Sequence, residues 1–277
     1  MSEHTKIARV IPFVKADAFG NDFLIIEEQY AHNNHAELAK NLCLRDTTYG
    51  GADGIEFLDR RSDGTFFLRL FNADGSEAEL SGNGTRCVAA WLAFKEQKTK
   101  VIFGTHGGPR SCEVIDSDGK KFMIESEMGV PHVEARVLDI PGIGKIEGAE
   151  VNVGNPHFVI FVEKEDFCSH GMSWQELGAI VCVSPLFPNG TNVEFVSIRT
   201  KDEIAFRIYE RGCGPTTSSG TGTCASSAAA IKLRDCKPVL WAEAEGGAQF
   251  VSWVASDSPM WLTGSAKIVC EGEVAAL

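Results

Sequence analysis

The sequence predicts an α+β protein of two pseudo-symmetric domains, each a curled, mostly antiparallel, barrel-like sheet around a buried central helix, with a functional cleft between them. Three observations lead there. The second half repeats the first: Arg69, Ser81, Gly82, Gly84 and Thr85 recur as Arg207, Ser219, Gly220, Gly222 and Thr223, each 138 positions later in a chain of 277, and FLRLFN aligns with AFRIYE upstream. Short alternating apolar stretches bounded by turn residues dominate both halves and read as strands. Each half also carries one helical segment that starts after glycines, and the first of these is apolar on nearly every face from Cys87 to Phe94, as a helix surrounded by protein is.

In chain order, PFVKADAFGNDFLIIEE reads as strand, HAELAKNLCLRD as helix from its spacing, and TFFLRLFNADG as strand. The interior helix GNGTRCVAAWLAFKE follows, then strands at KTKVIFGTHGGP, RSCEVIDSDGKK and FMIESEMG. From near Ala149 the scheme repeats. AEVNVGNPHFVIFVE is strand, SWQELGAIV helix, TNVEFVSIRT and DEIAFRIYE strands, TGTCASSAAAIKLRD the matching interior helix, and PVLWAEAE, AQFVSWVA and MWLTGSAKIVCEG closing strands. In GVPHVEARVLDIPGIGKIEG, Gly and Pro thicken and periodicity weakens, which marks a domain boundary. The division is therefore residues 1–130, to which the terminal strand at 264–277 is a candidate addition, and residues 131–277.

A formal charge of −12 and the absence of any Lys/Arg cluster argue against a nucleic-acid partner. The N-terminal stretch MSEHTKIARVIPFVK has no continuous apolar region, and no segment approaches 18 uninterrupted apolar residues, so a cytoplasmic location without membrane partners is expected. The nine cysteines are scattered, odd in number and without a Cys-x-x-Cys pair, which favours reduced thiols. His32 and His35 form the one close histidine pair, with no carboxylate or thiol set to complete a metal site.

The two glycine turns, Ser81-Gly-Asn-Gly-Thr and Ser219-Gly-Thr-Gly-Thr, carry the chemistry. Glycines let backbone approach a ligand closely, and the unpaired N–H groups at a helix start favour an anion. Each turn is a candidate carboxylate or phosphate cradle, or simply a tight turn; duplication favours the cradle. Neither continues into Gly-Lys-Ser/Thr or Gly-x-Gly-x-x-Gly, so a nucleotide cofactor is not expected.

FGNDF at 19–23, ADG at 52–54, FNADGSEAELSGNGTRC at 71–87, GNPH at 154–157, NVEF at 192–195, and ERG then SGTGTCA at 210–225 resemble, in order, the motif series of diaminopimelate epimerases. The resemblance covers nearly the whole chain. It implies inversion of an amino-acid α-carbon with no cofactor and no metal: one cysteine thiolate removes the α-proton, a second thiol delivers one to the opposite face, and helix N-termini hold the α-carboxylate. It further implies that Asn21, Asn72, Asn83, Asn155, Asn192, Glu210 and Arg211, with the backbones of Gly82, Gly220 and Thr221, bind a small amino-acid substrate, that His157 lies near one base, and that a homodimer is reasonable. Each Asn also fits a turn or capping role.

At both cysteine positions this chain has serine, Ser81 and Ser219. A thiol ionises near about 8.5, whereas an aliphatic hydroxyl resembles water at about 15.7; the gap corresponds to an upper limit of about 10 kcal/mol. Three explanations stand: two bases replaced deliberately, natural serines serving this or another reaction such as a dehydration or isomerisation, or binding without catalysis. Pro215 stands where the family commonly has glutamate, and Ser218 where a small apolar residue is common, which points to natural divergence. Cys87 and Cys224 fall at other angles of their helices than Ser81 and Ser219 and read as packing; spacing leaves Cys213 open.

Overall fold

The computed structural model describes residues 10–275; residues 1–9, read above as free of an apolar leader, and residues 276–277, read above as the end of the terminal strand, lie outside the described residues. Two compact units emerge, one of residues 1–122 and 266–277, the other of residues 123–265.

In unit 1 the strands are β1 (Val10–Ala18), β2 (Asn21–Glu27), β3 (Gly54–Arg60), β4 (Phe66–Asn72), the short β5 (Glu77–Ala78), β6 (Lys100–Gly104) and β7 (Arg110–Asp118), with helices α1 (His35–Leu42) and α2 (Gly82–Glu96). The β1–β2 hairpin continues through the parallel pair β2–β3, the antiparallel β3–β4, the parallel β4–β6 and the antiparallel β6–β7. Strand β8 (Lys121–Glu127) follows after a two-residue turn, with Gly119 at φ 61°, and the final strand, after all others, pairs with β1 from Val10↔Ala275 onward. α2 packs inside this curled sheet against β1, β2, β3, β6 and β7. α1 covers the outer face, its Leu38, Ala39 and Leu42 meeting Leu24, Ile26, Ile55 and Phe57. Strands β2 and β3 are thus buried on both faces, which is why Phe23–Ile26 is an unbroken apolar run.

Unit 2 repeats the plan. Strands β9 (His132–Ile140), β10 (Gly144–Asn152), β11 (Pro156–Val162), β12 (Asn192–Thr200), β13 (Glu203–Glu210), the short β14 (Gly214–Thr216), β15 (Val239–Ala244), β16 (Gly247–Ser252) and the beginning of β17 (Trp261–Ala275), whose residues from Ala266 onward belong to unit 1, accompany helices α3 (Trp174–Cys182) and α4 (Gly220–Arg234). The order is β9–β10–β11–β12–β13–β15–β16–β17, with β11–β12 and β13–β15 parallel. α4 lies inside against β9–β13, β15 and β16, its Ala225, Ala228, Ala229 and Ala230 packed on Val196, Phe206, Ile208 and Leu240. α3 sits outside, with Leu177 and Val181 on Phe158, Ile160 and Phe195. Its N-terminus is a complete capping box between Ser173 and Glu176.

Two stretches differ from the sequence reading. GIEFLDR, passed over as a strand, is β3, and residues 129–148, whose periodicity fades, contain β9 and the beginning of β10, which pair as a hairpin. β9 buries only Val133, Leu138 and Ile140, so its alternation is too sparse to register.

Candidate active site

The two glycine turns are built alike. α2 and α4 each span fifteen residues, and each starts one residue after a serine in extended conformation. Ser81 Oγ accepts from the Gly84 amide at 3.1 Å, and Ser219 Oγ accepts from the Gly222 amide at 3.1 Å. Thr85 and Thr223 hydroxyls each donate to the serine carbonyl at 2.6 Å. Gly82 and Gly220, both buried, take the first helical position, where a backbone N–H has no carbonyl within the helix. Each helix therefore begins in a serine-capped, positively polarised turn suited to a carboxylate.

In unit 1 the turn is anchored by a polar chain. Buried Asn83 accepts from Arg86 Nη2 and donates to Asn21 Oδ1 at 3.1 Å; Asn21 in turn donates to Asp53 Oδ2 at 2.8 Å. Arg45 bridges Asp53 at 2.5 Å and Asp22 at 2.8 Å, and Lys15 reaches Asp22 at 2.9 Å. Burial works against the charge on Asp22, but Arg45 and Lys15 outweigh it and hold the carboxyl below its ordinary value. Asn72 makes its side-chain bond within its own turn, to Ser76 Oγ at 3.0 Å, the role that Asn-Ala-Asp-Gly has as a turn sequence.

In unit 2 the chain of contacts reaches the capping serine. Ser219 Oγ lies 3.5 Å from Thr221 Oγ1, to which Asn155 Nδ2 donates at 3.4 Å. Asn155 Oδ1 is 2.8 Å from His157 Nε2, and His157 Nδ1 is 2.6 Å from Glu194 Oε1, both residues fully buried. The amide oxygen of Asn155 only accepts, so this contact is a hydrogen bond in the tautomer that carries a proton on Nε2. Burial raises the Glu194 carboxyl, against the opposing pull of His157. Asn192 accepts the Arg211 amide at 2.8 Å, and its Nδ2 lies 3.5 Å from His157 Nε2; Arg211 Nη1 donates to the Asn189 carbonyl at 3.0 Å. Glu210 ends β13, paired with Gly214.

So Asn21 and Asn83 gather at the Ser81 turn, and Asn155, His157, Thr221 and Asn192 gather around the Ser219 turn, with Arg211 bound to Asn192, while Asn72 and Glu210 end β4 and β13. The sequence reading left out Lys15, Asp22, Arg45, Asp53, Glu56 and Glu194. For the last two a signal existed: Glu56 and Glu194 obey the same offset of 138 as the serines. Cys87 and Cys224 are wholly buried, and burial pushes the Cys87 thiol well up; Cys213 is exposed. Among the described residues, no three His, Cys, Asp or Glu side chains are grouped to hold a metal ion, and no helix is long and apolar enough to cross a membrane.

The chain matches the family model described as diaminopimelate epimerase over residues 13–134 and 150–269. It is 34% identical to the diaminopimelate epimerase of Halothermothrix orenii, covering 95% of this chain and 98% of that one, and 35% identical to that of Microcystis aeruginosa over the same shares. Among solved structures, a phenazine biosynthesis protein of the PhzF family from Bacillus anthracis shares the fold at TM-score 0.73 and 17% identity, covering 97% of this chain and 100% of that one. A hydroxyproline epimerase from Agrobacterium vitis does so at TM-score 0.73 and 16% identity, covering 97% and 93%.

Proposed function

Since the chain belongs to the diaminopimelate epimerase family, we propose that it is an isomerase interconverting LL- and meso-diaminopimelate, a step of lysine biosynthesis, by cofactor-independent inversion at the α-carbon. The observation that carries this reading is the duplicated turn: two helix N-termini, each capped by a serine hydroxyl with the same bond to the third helical amide. Removing an α-proton places negative charge on the carboxylate side of the substrate, and a helix N-terminus is fixed to receive it. The base positions belong to Ser81 and Ser219. Substrate polar groups belong to Asn21, Asn72, Asn83, Asn155, Asn192, Glu210 and Arg211, with the Gly82, Gly220 and Thr221 amides.

A serine hydroxyl is a far weaker acid than a thiol, so its proton must be moved with help. At Ser219 the array Thr221–Asn155–His157–Glu194 supports such a role, because it links the hydroxyl through side-chain contacts to a buried imidazole and carboxyl 2.6 Å apart. His157 is thus a positioning residue that acts on Ser219 through Asn155 and Thr221. A cytoplasmic location and a homodimer form part of the same reading.

The test is incubation with LL-diaminopimelate in deuterated water, following label at the α-carbon and appearance of the meso form. The expected result is both, each reduced by Ser81→Ala or Ser219→Ala. Tight binding with no label above background would refute the isomerase and leave a binding protein.

A further inference from the structure

The two turns share a backbone but differ in the carboxyl that lies beneath them. Glu56 in β3 and Glu194 in β12 hold equivalent positions, both buried. Each reaches the third residue of its interior helix: a Cβ built on Gly84 would lie 2.0 Å from Glu56 Oε1, and one on Gly222 would lie 3.2 Å from Glu194 Oε1. The strand register then separates them. In the parallel pair β11–β12, His157 stands beside Asn192, two residues ahead of Glu194, and its imidazole meets that carboxyl. In β2–β3, Phe23 stands beside Gly54, two residues ahead of Glu56. Phe23 thus occupies the register position of His157, and a phenyl ring can neither donate a proton to a carboxyl nor balance its charge.

We propose that Glu56 is a positioning residue for the carboxylate-binding turn of unit 1, which admits an anion while the Glu56 carboxyl is neutral and rejects it once that carboxyl ionises. A carboxylate lying on Gly84 would cancel the positive pole of α2 and repel a second anion there. In unit 2 the Glu194 carboxyl meets the His157 imidazole at 2.6 Å, at the register position that Phe23 fills in unit 1. Burial alone pushes Glu56 up to about 8, which sets where the change falls. The charged and titratable groups that share this part of the core are Arg86 and Cys87 from α2, Asp17 from β1 and Asp22 from β2, as their combined influence on the Cys87 thiol shows; β4 presents Leu70 opposite Glu56. Arg86 turns one guanidinium nitrogen to Asn83, and Asp22 is bound to Lys15 and Arg45.

The identity of the anion as a substrate carboxylate rests on the proposed function; the behaviour of the turn does not. Two measurements on the whole protein keep them apart. The first uses no ligand: the Gly84 amide resonance of the wild type, followed by NMR from pH 6 to 9.5, is expected to shift with a midpoint near 8 and to stay flat in Glu56→Gln. A flat Gly84 in the wild type, or the same shift in Glu56→Gln, overturns the proposal. Should Glu56→Gln not fold, the side-chain carboxyl carbon of Glu56 in the wild type decides, and a midpoint in the ordinary carboxylate range overturns it. The second is the affinity for diaminopimelate, expected to weaken between pH 7 and 9 by roughly tenfold more in the wild type than in Glu56→Gln, with Glu56→Asp behaving as the wild type. Equal weakening in wild type and Glu56→Gln overturns the proposal. Absence of binding by any form, with Gly84 titrating, refutes diaminopimelate as the ligand and leaves the switch standing.

Discussion

Replacing Glu56 by Gln should stabilise the protein, and by an amount that grows with pH. The carboxyl is buried, with burial as the cause of its displacement from 4.5 to about 8. In the unfolded chain the same group ionises near its ordinary value. Between the two values the folded protein holds a proton that the unfolded chain has lost, so rising pH favours unfolding over that window. Below about pH 4.5 Glu56 costs nothing by this route; above about pH 8 the loss is complete. At about 1.36 kcal/mol for each tenfold change in ionisation constant, the full effect is about 5 kcal/mol, with about 3 kcal/mol already lost at pH 7. Glutamine keeps the shape and has no proton to lose. The assay is urea unfolding of both proteins at matched ionic strength from pH 5 to 9, taking the difference between them so that every other titrating group cancels. The stability of Glu56→Gln relative to the wild type should climb by about 1.4 kcal/mol per pH unit up to pH 8 and then level. A difference that stays within about 1 kcal/mol over the whole range would show that Glu56 ionises as an ordinary carboxyl and would remove the basis for a neutral acid beneath α2.

Three further outcomes are expected. The double variant Ser81→Cys, Ser219→Cys should exchange the α-proton faster than the wild type by orders of magnitude, because a thiol is some seven powers of ten more acidic than a hydroxyl; an unchanged rate in the deuterium assay would point to a different reaction. His157→Phe reproduces in unit 2 the arrangement of Phe23 and Glu56, leaves Glu194 buried without its partner, and should cost about 3 kcal/mol in urea unfolding; a loss under about 1 kcal/mol would mean that the pair contributes little. Gly84→Ala drives a methyl to 2.0 Å from Glu56 Oε1 and should cost about 1–3 kcal/mol, most of it recovered when Glu56→Ala is added; additive losses would place the strain elsewhere.

Residues close in sequence chose the features that the chain itself made legible. The two interior helices run 82–96 and 220–234, starting where serine and glycine set a cap and ending at left-handed Gln97 and Asp235, because capping and helix periodicity depend on residues a few positions apart. The serine-capped turns, and the repeat that relates them, are of this kind. Tertiary structure alone decided the pairings of distant segments: the closing strand lies beside β1, with Ala275 opposite Val10, and Asn83 meets Asn21 while Thr221 meets Asn155. The offset that relates β2 to β11 is 134, not the 138 of the helices, so the equivalence of Phe23 with His157 is invisible until the strands are laid in register. That register determines which carboxyl is answered by an imidazole and which is left to the cost of burial, since a buried charge depends on neighbours that sequence distance does not reveal.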